Sequence, residues 1–255
     1  MTVRSLLNPL LKVCGATAEA DIDLLAAGGV NLVGLWHGVP GGPAELPLDR
    51  LADLAAAARS TGRLRPVLVT FLADADAIAD AMEHSGIEWV QLHAYQPPAL
   101  VKALRQRRPG AHILKVLHVA DGQCVEKRLI PAYERAGVDT FLLDRVGLNG
   151  QVGSTGLRLA ESDVVDLVAG MTIPFVLAGG IDADSRPSYP RLSVHPGMLG
   201  VDVDTAARGG DGRFDRHAVA ALTASWGGEP ETEVLKLTVP TARPVVVGQE
   251  GAVAP

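Results

Sequence analysis

Cysteine is scarce in this sequence, since Cys14 and Cys124 are the only two among 255 residues. Two cysteines imply no disulfide framework, so we expect a reducing, cytoplasmic environment. Aromatic residues make up only 4% of the chain, no block of Lys or Arg stands out, and the net charge is -6. These features argue against a nucleic-acid-binding surface. No apolar run approaches the length needed to cross a bilayer, so we expect no membrane partner.

Apolar runs of strand length recur along the chain, separated by amphipathic or alanine-rich segments. The strand candidates are 10–14, 31–36, 66–71, 88–93, 112–118, 139–144, 174–178 and 199–203. The helix candidates are 18–28, 48–61, 74–85, 97–108, 121–136, 157–170 and 215–226. The apolar runs are nearly continuous and do not alternate, which is typical of parallel strands that are covered on both faces.

Eight strands that alternate with helices predict an α/β fold, a single (β/α)8 TIM barrel, which usually takes about 250 residues. An open doubly wound sheet is the alternative. It usually needs a glycine-rich loop after its first strand, and residues 14–17 do not form one. We therefore predict one barrel over residues 1–226. The 227–255 segment is rich in Pro, Glu and Val, and we expect it to be extended or disordered.

The seventh βα-unit of this barrel is predicted to be distorted. Residues 182–196 follow the seventh strand candidate and contain Pro187, Pro190 and Pro196. Proline removes a helix hydrogen bond and clashes with the preceding turn. The seventh helix should therefore be short, distorted or missing.

Polar residues stand at the C-terminal ends of most predicted strands, where barrels of this kind carry their chemistry. They are Lys12 and Cys14, Trp36 and His37, Gln91 and His93, Lys115 and His118, Asp144 and Arg145, and Asp202 and Asp204. A buried polar side chain needs a partner, so apolar strands rarely end this way by accident. A polar ring around one mouth of the barrel therefore indicates a functional site.

Individual members of this ring have simpler interpretations. Cys14 can be a small buried hydrophobic residue, and His93 can be a satisfied core histidine. Lys115 and His118 can form a solvated rim. Asp144 is harder to explain in this way, because a carboxylate at the end of a buried strand is either paired or kept for function.

Two further interpretations concern the cysteines and metals. A helix that starts at Thr17 would place its positive end beside Cys14 and favour the thiolate. Cys124 falls on a predicted helix, where it would simply pack. No cluster of His, Cys and Asp has the spacing of metal ligands, so no metal site is predicted.

Two late glycine-rich turns predict a phosphorylated substrate. One turn covers residues 150–156 after the sixth strand, and the other is Gly179-Gly180 at the end of the seventh strand. TIM barrels commonly bind phosphate near strands seven and eight through backbone N–H groups, which glycine lets a ligand approach.

Six short motifs, in order and at fitting intervals, carry a family resemblance. They are Lys12-Val13-Cys14-Gly15, Val90-Gln91-Leu92-His93, Leu142-Leu143-Asp144, Gly153-Ser154-Thr155-Gly156, Leu177-Ala178-Gly179-Gly180 and Gly200-Val201-Asp202-Val203. Together they resemble the phosphoribosylanthranilate isomerase family of tryptophan biosynthesis, from about Leu11 to Trp226.

The resemblance implies an Amadori rearrangement of N-(5-phosphoribosyl)anthranilate, without cofactor or metal. By position, Asp144 resembles the family's general acid and Cys14 its general base. The substrate-binding residues implied are Lys12, Gln91, His93, Arg145 and Asp202, and those for phosphate are Gly153, Ser154, Gly156, Gly179, Gly180 and Thr205. The partner is then a small phosphorylated substrate, and we expect a monomer or homodimer.

This chemistry sets requirements on the two pKa values. The acid protonates the ribose ring oxygen, and the base removes the proton from the second sugar carbon. Acid and base must be in opposite protonation states at one pH, so we expect a raised pKa for Asp144 and a lowered pKa for Cys14, favoured by Lys12.

The sequence departs from the family pattern at two places. The family's loop after strand two has an arginine that holds the anthranilate carboxylate, whereas residues 38–45 here contain none. Losing such a contact should weaken anthranilate binding about 10- to 100-fold, and Arg145 is the candidate substitute. Asp204 stands where the family has a serine, and it would repel a phosphate that it faced.

These departures leave two alternatives to the family reaction. A divergent paralogue would isomerise a related phosphosugar amine in another biosynthetic pathway. A non-catalytic barrel would bind a ligand through its altered mouth.

Overall fold

The computed structural model describes residues 9–147 and 158–227, which form a closed parallel β-barrel surrounded by helices. The strands are β1 (Leu10–Cys14), β2 (Leu32–Trp36), β3 (Arg65–Thr70), β4 (Trp89–Leu92), β5 (His112–Ala120), β6 (Gln123–Cys124), β7 (Thr140–Arg145), β8 (Phe175–Leu177) and β9 (Met198–Val203). All except β6 belong to the barrel, in the order β4-β3-β2-β1-β9-β8-β7-β5, and a β4–β5 pairing closes it. The predicted TIM barrel is confirmed.

The α-helices lie between the strands and after the last of them. They are α1 (Glu19–Ala27), α2 (Leu48–Ser60), α3 (Ala75–Ser85), α4 (Pro98–Arg107), α5 (Ile130–Ala136), α6 (Glu161–Val168) and α7 (Arg216–Trp226). Within the described ranges, no helix is both long and apolar enough to cross a membrane. Apart from Gly227, the predicted C-terminal extension lies outside the described residues.

The seventh βα-unit is distorted, as predicted. Between β8 and β9, all of whose connecting residues are described, there is no α-helix. Two short 3-10 helices, Arg186–Ser188 and Leu192–Val194, take its place. Tyr189 lies between them, fully buried, and its hydroxyl donates a hydrogen bond to the carbonyl of Leu159. The unit therefore packs onto the barrel through side chains instead of a regular helix.

The prediction of one helix over residues 121–136 was wrong in its first half. The chain forms an antiparallel hairpin between β5 and β6, then a 3-10 helix over Lys127–Leu129, and only then α5. Asp121 and Gly122 both have positive φ, +48° and +74°, in the two-residue turn. An Asp-Gly pair suits this left-handed turn and directs the chain into a hairpin. Cys124 therefore lies on a strand, not on a helix.

Helix α1 also starts two residues later than Thr17. The carboxylate of Asp21 accepts hydrogen bonds from the backbone N–H groups of Thr17 and Ala18, at 2.8 and 2.9 Å. These bonds hold both residues in the turn before the helix.

Apolar side chains fill the lower part of the barrel and leave its C-terminal mouth to polar ones. Leu10, Leu32, Val67, Trp89 and Leu114 pack together inside the barrel at the N-terminal ends of the strands. Side chains alternate between the two faces of a strand, so residues two and four positions further along the same strands also point inward. This register sends Lys12 and Cys14 into the upper part of the barrel.

Candidate active site

A cavity of about 670 Å³ opens at the C-terminal mouth of the barrel. Of the predicted site residues that the structure describes, those lining it are Cys14, His93, Asp144, Gly179, Gly180, Asp202 and Thr205. Lys12 and Gln91 are buried directly beneath this lining, within hydrogen-bond distance of residues in it. Gly153, Ser154 and Gly156 lie outside the described residues.

Lys12 connects the thiol of Cys14 to the carboxylate of Asp202. Its Nζ lies 2.8 Å from Asp202 Oδ1 and 3.2 Å from Cys14 Sγ, and its side chain is only 1% exposed. Burial lowers the pKa of Lys12, but the charges on Asp202 and Cys14 more than offset this effect and raise the pKa above its usual range. Lys12 is therefore a buried cation shared by two acceptors.

The thiol of Cys14 fits here only because residue 34 is glycine. Cys14 on β1 is paired with Gly34 on β2. A Cβ atom on residue 34 would lie 2.4 Å from Cys14 Sγ and 3.2 Å from Lys12 Nζ. The role of Gly34 was not predicted from the sequence, although a glycine inside a strand often marks the close approach of another group.

The expected low pKa of Cys14 is wrong. Burial of the thiol raises its pKa to about 11, and the carboxylates of Asp202 and Asp204 add to this effect. The positive charge of Lys12 acts in the opposite direction but does not compensate. Burial penalises the thiolate because the charged sulfur loses its hydration.

Asp144 has the raised pKa that a general acid needs. Its side chain lines the cavity and is almost fully buried. Burial, followed by the nearby charge of Asp202, raises the pKa to about 7. The backbone N–H of Arg145 donates a 2.8 Å hydrogen bond to Oδ1, which limits the shift. Asp144 therefore keeps its proton at a higher pH than an ordinary carboxyl does.

His93 faces Asp144 and is held by Gln91. Gln91 Nε2 donates to His93 Nδ1 at 2.7 Å, so the imidazole hydrogen lies on Nε2, 3.7 Å from Asp144 Oδ2. Burial lowers the pKa of His93 well below its usual range and keeps the ring neutral. Neither His93 Nε2 nor Gln91 Oε1 has a hydrogen-bond partner among the described residues. His93 is therefore not a satisfied core histidine.

Lys115 and His118 do not form a solvated rim, because both are buried. Lys115 Nζ donates to the carbonyls of Ala94 and Val116, and burial lowers its pKa to about 8. His118 Nδ1 lies 2.6 Å from Glu126 Oε1, and its Nε2 lies 3.0 Å from the carbonyl oxygen of His93. These contacts support the segment that carries His93.

Glu126 is a supporting residue that the sequence analysis missed. It is buried and accepts a hydrogen bond from the backbone N–H of His118 at 2.9 Å. The β5–β6 hairpin returns it to the end of β5. The signal for that hairpin was the turn at Asp121-Gly122.

The predicted phosphate side of the cavity is formed by the ends of β8 and β9. Gly179 and Gly180 have φ values of +78° and +63°, which favour glycine. No acceptor among the described residues takes the amide hydrogen of Gly179 or Gly180. Thr205 lines the same side and begins a 3-10 helix, Thr205–Ala207.

Asp204 lines the cavity, but its charge is paired. Arg208 Nε donates to Asp204 Oδ1 at 2.8 Å, and Arg208 Nη2 donates to the carbonyls of Cys14 and Gly15. Asp182, a second carboxylate on this side, pairs with Arg158 at 2.8 Å. The ion pair with Arg208 reduces the repulsion between Asp204 and a phosphate that was expected from the sequence. The ion pair with Arg158 has the same effect for Asp182.

Arg145 is not placed to replace the missing loop arginine. It is not among the described residues that line the cavity, and its Nη1 donates to the carbonyl of Arg158 at 2.6 Å. The 38–45 loop is closed by Glu45, whose carboxylate accepts from the N–H groups of Gly38 and Val39. It presents an apolar wall of Val39, Pro40 and Pro43 to the cavity.

Comparison with known proteins matches this sequence to one family. A family model for N-(5'-phosphoribosyl)anthranilate isomerase matches residues 11–223. N-(5'-Phosphoribosyl)anthranilate isomerase 2 of Methanosarcina mazei is 31% identical over 210 residues, which cover 82% of this chain and 90% of that protein. The Haloferax volcanii isomerase is 32% identical over 216 residues, with 84% and 91% coverage.

Solved structures show the same fold. The phosphoribosylanthranilate isomerase of Thermus thermophilus has a TM-score of 0.68 at 20% identity, covering 85% of this chain and 97% of that one. A second isomerase structure, in complex with reduced 1-(o-carboxyphenylamino)-1-deoxyribulose 5-phosphate, has a TM-score of 0.66 at 18% identity, with 85% and 97% coverage.

Proposed function

The chain belongs to the N-(5'-phosphoribosyl)anthranilate isomerase family, and we propose that it isomerises N-(5'-phosphoribosyl)anthranilate to 1-(2-carboxyphenylamino)-1-deoxyribulose 5-phosphate. This aldose–ketose isomerisation is a step of tryptophan biosynthesis. The observation that carries the proposal is that Cys14 and Asp144, from β1 and β7, line one cavity. A thiol and a carboxyl facing one substrate supply the base and the acid that the reaction needs.

Asp144 acts first, as the general acid. It donates its proton to the ribose ring oxygen, the bond between that oxygen and the first sugar carbon breaks, and a protonated Schiff base forms. The pKa near 7 supports this role, because a carboxyl with an ordinary pKa would hold no proton at neutral pH. His93 Nε2, 3.7 Å away, is placed to orient the carboxyl or the departing oxygen.

Cys14 acts second, as the general base. Its thiolate removes the proton from the second sugar carbon, the electrons of that C–H bond form a double bond to the first carbon, and the Schiff-base electrons move to nitrogen. The resulting enolamine tautomerises to the ketose. Lys12 supports the thiolate with a positive charge 3.2 Å away.

The free enzyme holds the required protonation state only as a minor form. The thiol pKa, about 11, lies above the carboxyl pKa, about 7, so protonated Asp144 together with ionised Cys14 is a small fraction of the enzyme at any pH. This minor form is the reactive one in the proposed mechanism. A contact that stabilises the thiolate therefore raises the population of the reactive form.

The substrate phosphate is proposed to bind where β8 and β9 end. The amides of Gly179 and Gly180 and the hydroxyl of Thr205 line that side of the cavity. Gly153, Ser154 and Gly156 are proposed to complete the phosphate site from the preceding loop. Asp202 and Gln91 are proposed to hold the sugar side of the site through Lys12 and His93.

One observation favours a second candidate, a related phosphosugar amine with a different aglycone. The described lining residues include no Lys or Arg, and residues 148–157 contain none in their sequence. An anthranilate carboxylate would thus lack a direct charge partner beside the Val39-Pro40 wall. Growth of a tryptophan auxotroph at wild-type rate with this gene would exclude the second candidate as the main activity.

The whole proposed site comes from one chain, so the reaction is compatible with a monomer or a homodimer. Mixing the purified protein with freshly generated N-(5'-phosphoribosyl)anthranilate tests the proposed function. We expect loss of the substrate's fluorescence together with formation of the aminoketose, identified by mass and by its reduced derivative. Substrate loss no faster than in buffer would contradict the proposal.

A further inference from the structure

Trp36 provides a second donor to the Cys14 sulfur. It is the last residue of β2, lines the cavity, and places its indole Nε1 3.2 Å from Cys14 Sγ. An indole N–H can only donate, so the sulfur is the acceptor in this contact. A thiolate accepts a hydrogen bond much better than a thiol, because charge strengthens the bond.

The other charged groups around the sulfur make this donor important. Lys12 faces the sulfur from β1, but it lies closer to Asp202, at 2.8 Å against 3.2 Å. The carboxylates of Asp202, on β9, and Asp204, which directly follows β9, both disfavour the thiolate. Arg208 donates hydrogen bonds to the carbonyl of Cys14 and to the carboxylate of Asp204. The positive charge of Arg208 is therefore also shared with other acceptors. Among the described groups, the indole N–H of Trp36 donates to no other atom.

The 38–45 loop contacts the indole of Trp36. Directly after this loop, the backbone N–H of Leu46 donates to the backbone carbonyl of Trp36 at 2.9 Å, which brings the chain back to the end of β2. A Cβ atom on residue 42 would lie 3.1 Å from Trp36 Cε3, so Gly42 lets the loop pack directly against the ring. The loop that lacks an arginine therefore packs against Trp36.

We propose that Trp36 is a positioning residue that stabilises the thiolate of Cys14 through its indole N–H. The proposal rests on the proposed function in that the thiolate is the general base. Under this proposal, the ionisation of Cys14 on β1 is favoured partly by an uncharged donor, the indole of Trp36 on the neighbouring strand β2.

Trp36→Phe tests the proposal, because it keeps an aromatic ring and removes only the N–H. The control is Trp89→Phe, since Trp89 lies in the apolar layer at the other end of the barrel and stacks on His112. Both changes are made in a Cys124→Ser protein, which leaves Cys14 as the sole thiol. Iodoacetamide alkylation is followed as a function of pH.

We expect Trp36→Phe to raise the pH midpoint of alkylation by about one unit. At a fixed pH below the midpoint alkylation should be about threefold slower, because the higher nucleophilicity of a more basic thiolate partly offsets its roughly tenfold smaller population. The value of kcat should fall by a similar factor, about threefold, with little change in KM. Trp89→Phe should leave both readouts unchanged. Equal midpoints for Trp36→Phe and Trp89→Phe would overturn the proposal. Alkylation reads the thiol alone, so a wild-type protein without isomerase activity would refute the proposed function and not this contact.

Intrinsic fluorescence gives an independent readout that needs no change at residue 36. A Trp89→Phe/Trp226→Phe protein retains Trp36 as its sole tryptophan. We expect its emission to fall as Cys14 ionises, with the same midpoint as alkylation, and expect Cys14→Ala to abolish the transition. Emission that does not respond to Cys14 ionisation would overturn the proposal.

Discussion

The ammonium nitrogen of Lys12 lies 2.8 Å from a carboxylate oxygen of Asp202, in an ion pair whose side chains are 1% and 8% exposed. The pair joins β1 to β9, which are neighbours in the barrel and carry Lys12 and Asp202 at matching register positions. Lys12 and Asp202 place one positive and one negative charge beneath the cavity. Lys12 favours the thiolate of Cys14, whereas Asp202 disfavours it and raises the pKa of Asp144.

Replacing one partner of this pair should be costly. Lys12→Met leaves the Asp202 carboxylate buried without its cation, and losing one member of a buried pair costs about 3–5 kcal/mol of unfolding free energy. The measurement is urea unfolding at pH 7. Lys102→Met, on the exposed face of α4, is the control and should change the unfolding free energy by less than about 0.5 kcal/mol. Equal stabilities of the two variants would contradict the role given to this pair.

The pH dependence of kcat/KM should reflect an acid, Asp144, whose pKa is lower than that of the base, Cys14, which is the reverse of the usual order. At low pH both groups are protonated, and activity rises with pH as the thiolate population grows. Above about 7 the loss of protonated Asp144 cancels this gain, so kcat/KM should be level until pH approaches the Cys14 pKa of about 11. Initial rates from pH 5 to pH 10 check this shape. A decline beginning near pH 8 would contradict the assignment.

Asp144 should make the protein less stable as pH rises. Its folded-state pKa of about 7 lies above the unfolded value of about 3.8, so the folded state binds the extra proton between these pH values. Unfolding free energy should therefore fall with rising pH across this window. Asp144→Asn removes the free-energy cost of ionising a buried carboxyl. This variant should therefore be more stable than wild type above pH 7, by up to about 4 kcal/mol.

Urea unfolding of wild type and Asp144→Asn at pH 5 and pH 8 measures this difference. Asp166→Asn, on the exposed side of α6, is the matched control and should follow the wild type at both pH values. A stability difference for Asp144→Asn that is the same at both pH values would refute the raised pKa.

Gly34→Ala should displace the Cys14 thiol. The added Cβ would lie 2.4 Å from Sγ, so the side chain must move, and overpacking of this kind costs about 1–3 kcal/mol of stability. Misplacing a reacting group by about 1 Å reduces the rate about 100-fold. Gly110→Ala, where an added Cβ meets no atom within 4 Å, is the control.

The double variant Cys14→Ala/Gly34→Ala separates the steric effect from other causes. Its unfolding free energy should recover in part relative to Gly34→Ala, because the 2.4 Å contact with Sγ is gone whereas the 3.2 Å approach to Lys12 Nζ remains. Lack of recovery, measured by urea unfolding, would show that the two residues do not compete for space.

The barrel fold and the end of the barrel that carries the candidate active site were predictable, because both depend on local sequence patterns. Continuous apolar runs identified the buried strands, and the polar residues that end them, such as Cys14 and Asp144, share one mouth in any parallel barrel. The Asp121-Gly122 turn was also readable from the sequence and was overlooked. It is the reason why Glu126 was missed.

The pKa of Cys14 could not be predicted, because it is a balance of distances set by the whole fold. The sequence showed Lys12 two residues away, but not that Asp202, distant in the chain, holds the lysine at 2.8 Å. It also did not show how deeply the thiol is buried. The pairing of Asp204 with Arg208 was local enough to notice, at a spacing of four residues.

The central claim is that Cys14 and Asp144 are the base and the acid of one reaction. The most direct measurement is the turnover of N-(5'-phosphoribosyl)anthranilate by Cys14→Ala and Asp144→Asn, beside Cys124→Ala as the control thiol, which lies outside the cavity lining. We predict that the first two variants lose at least about 1,000-fold in kcat while folding normally, and that Cys124→Ala keeps wild-type turnover. Turnover by folded Cys14→Ala or Asp144→Asn within tenfold of wild type would contradict the account.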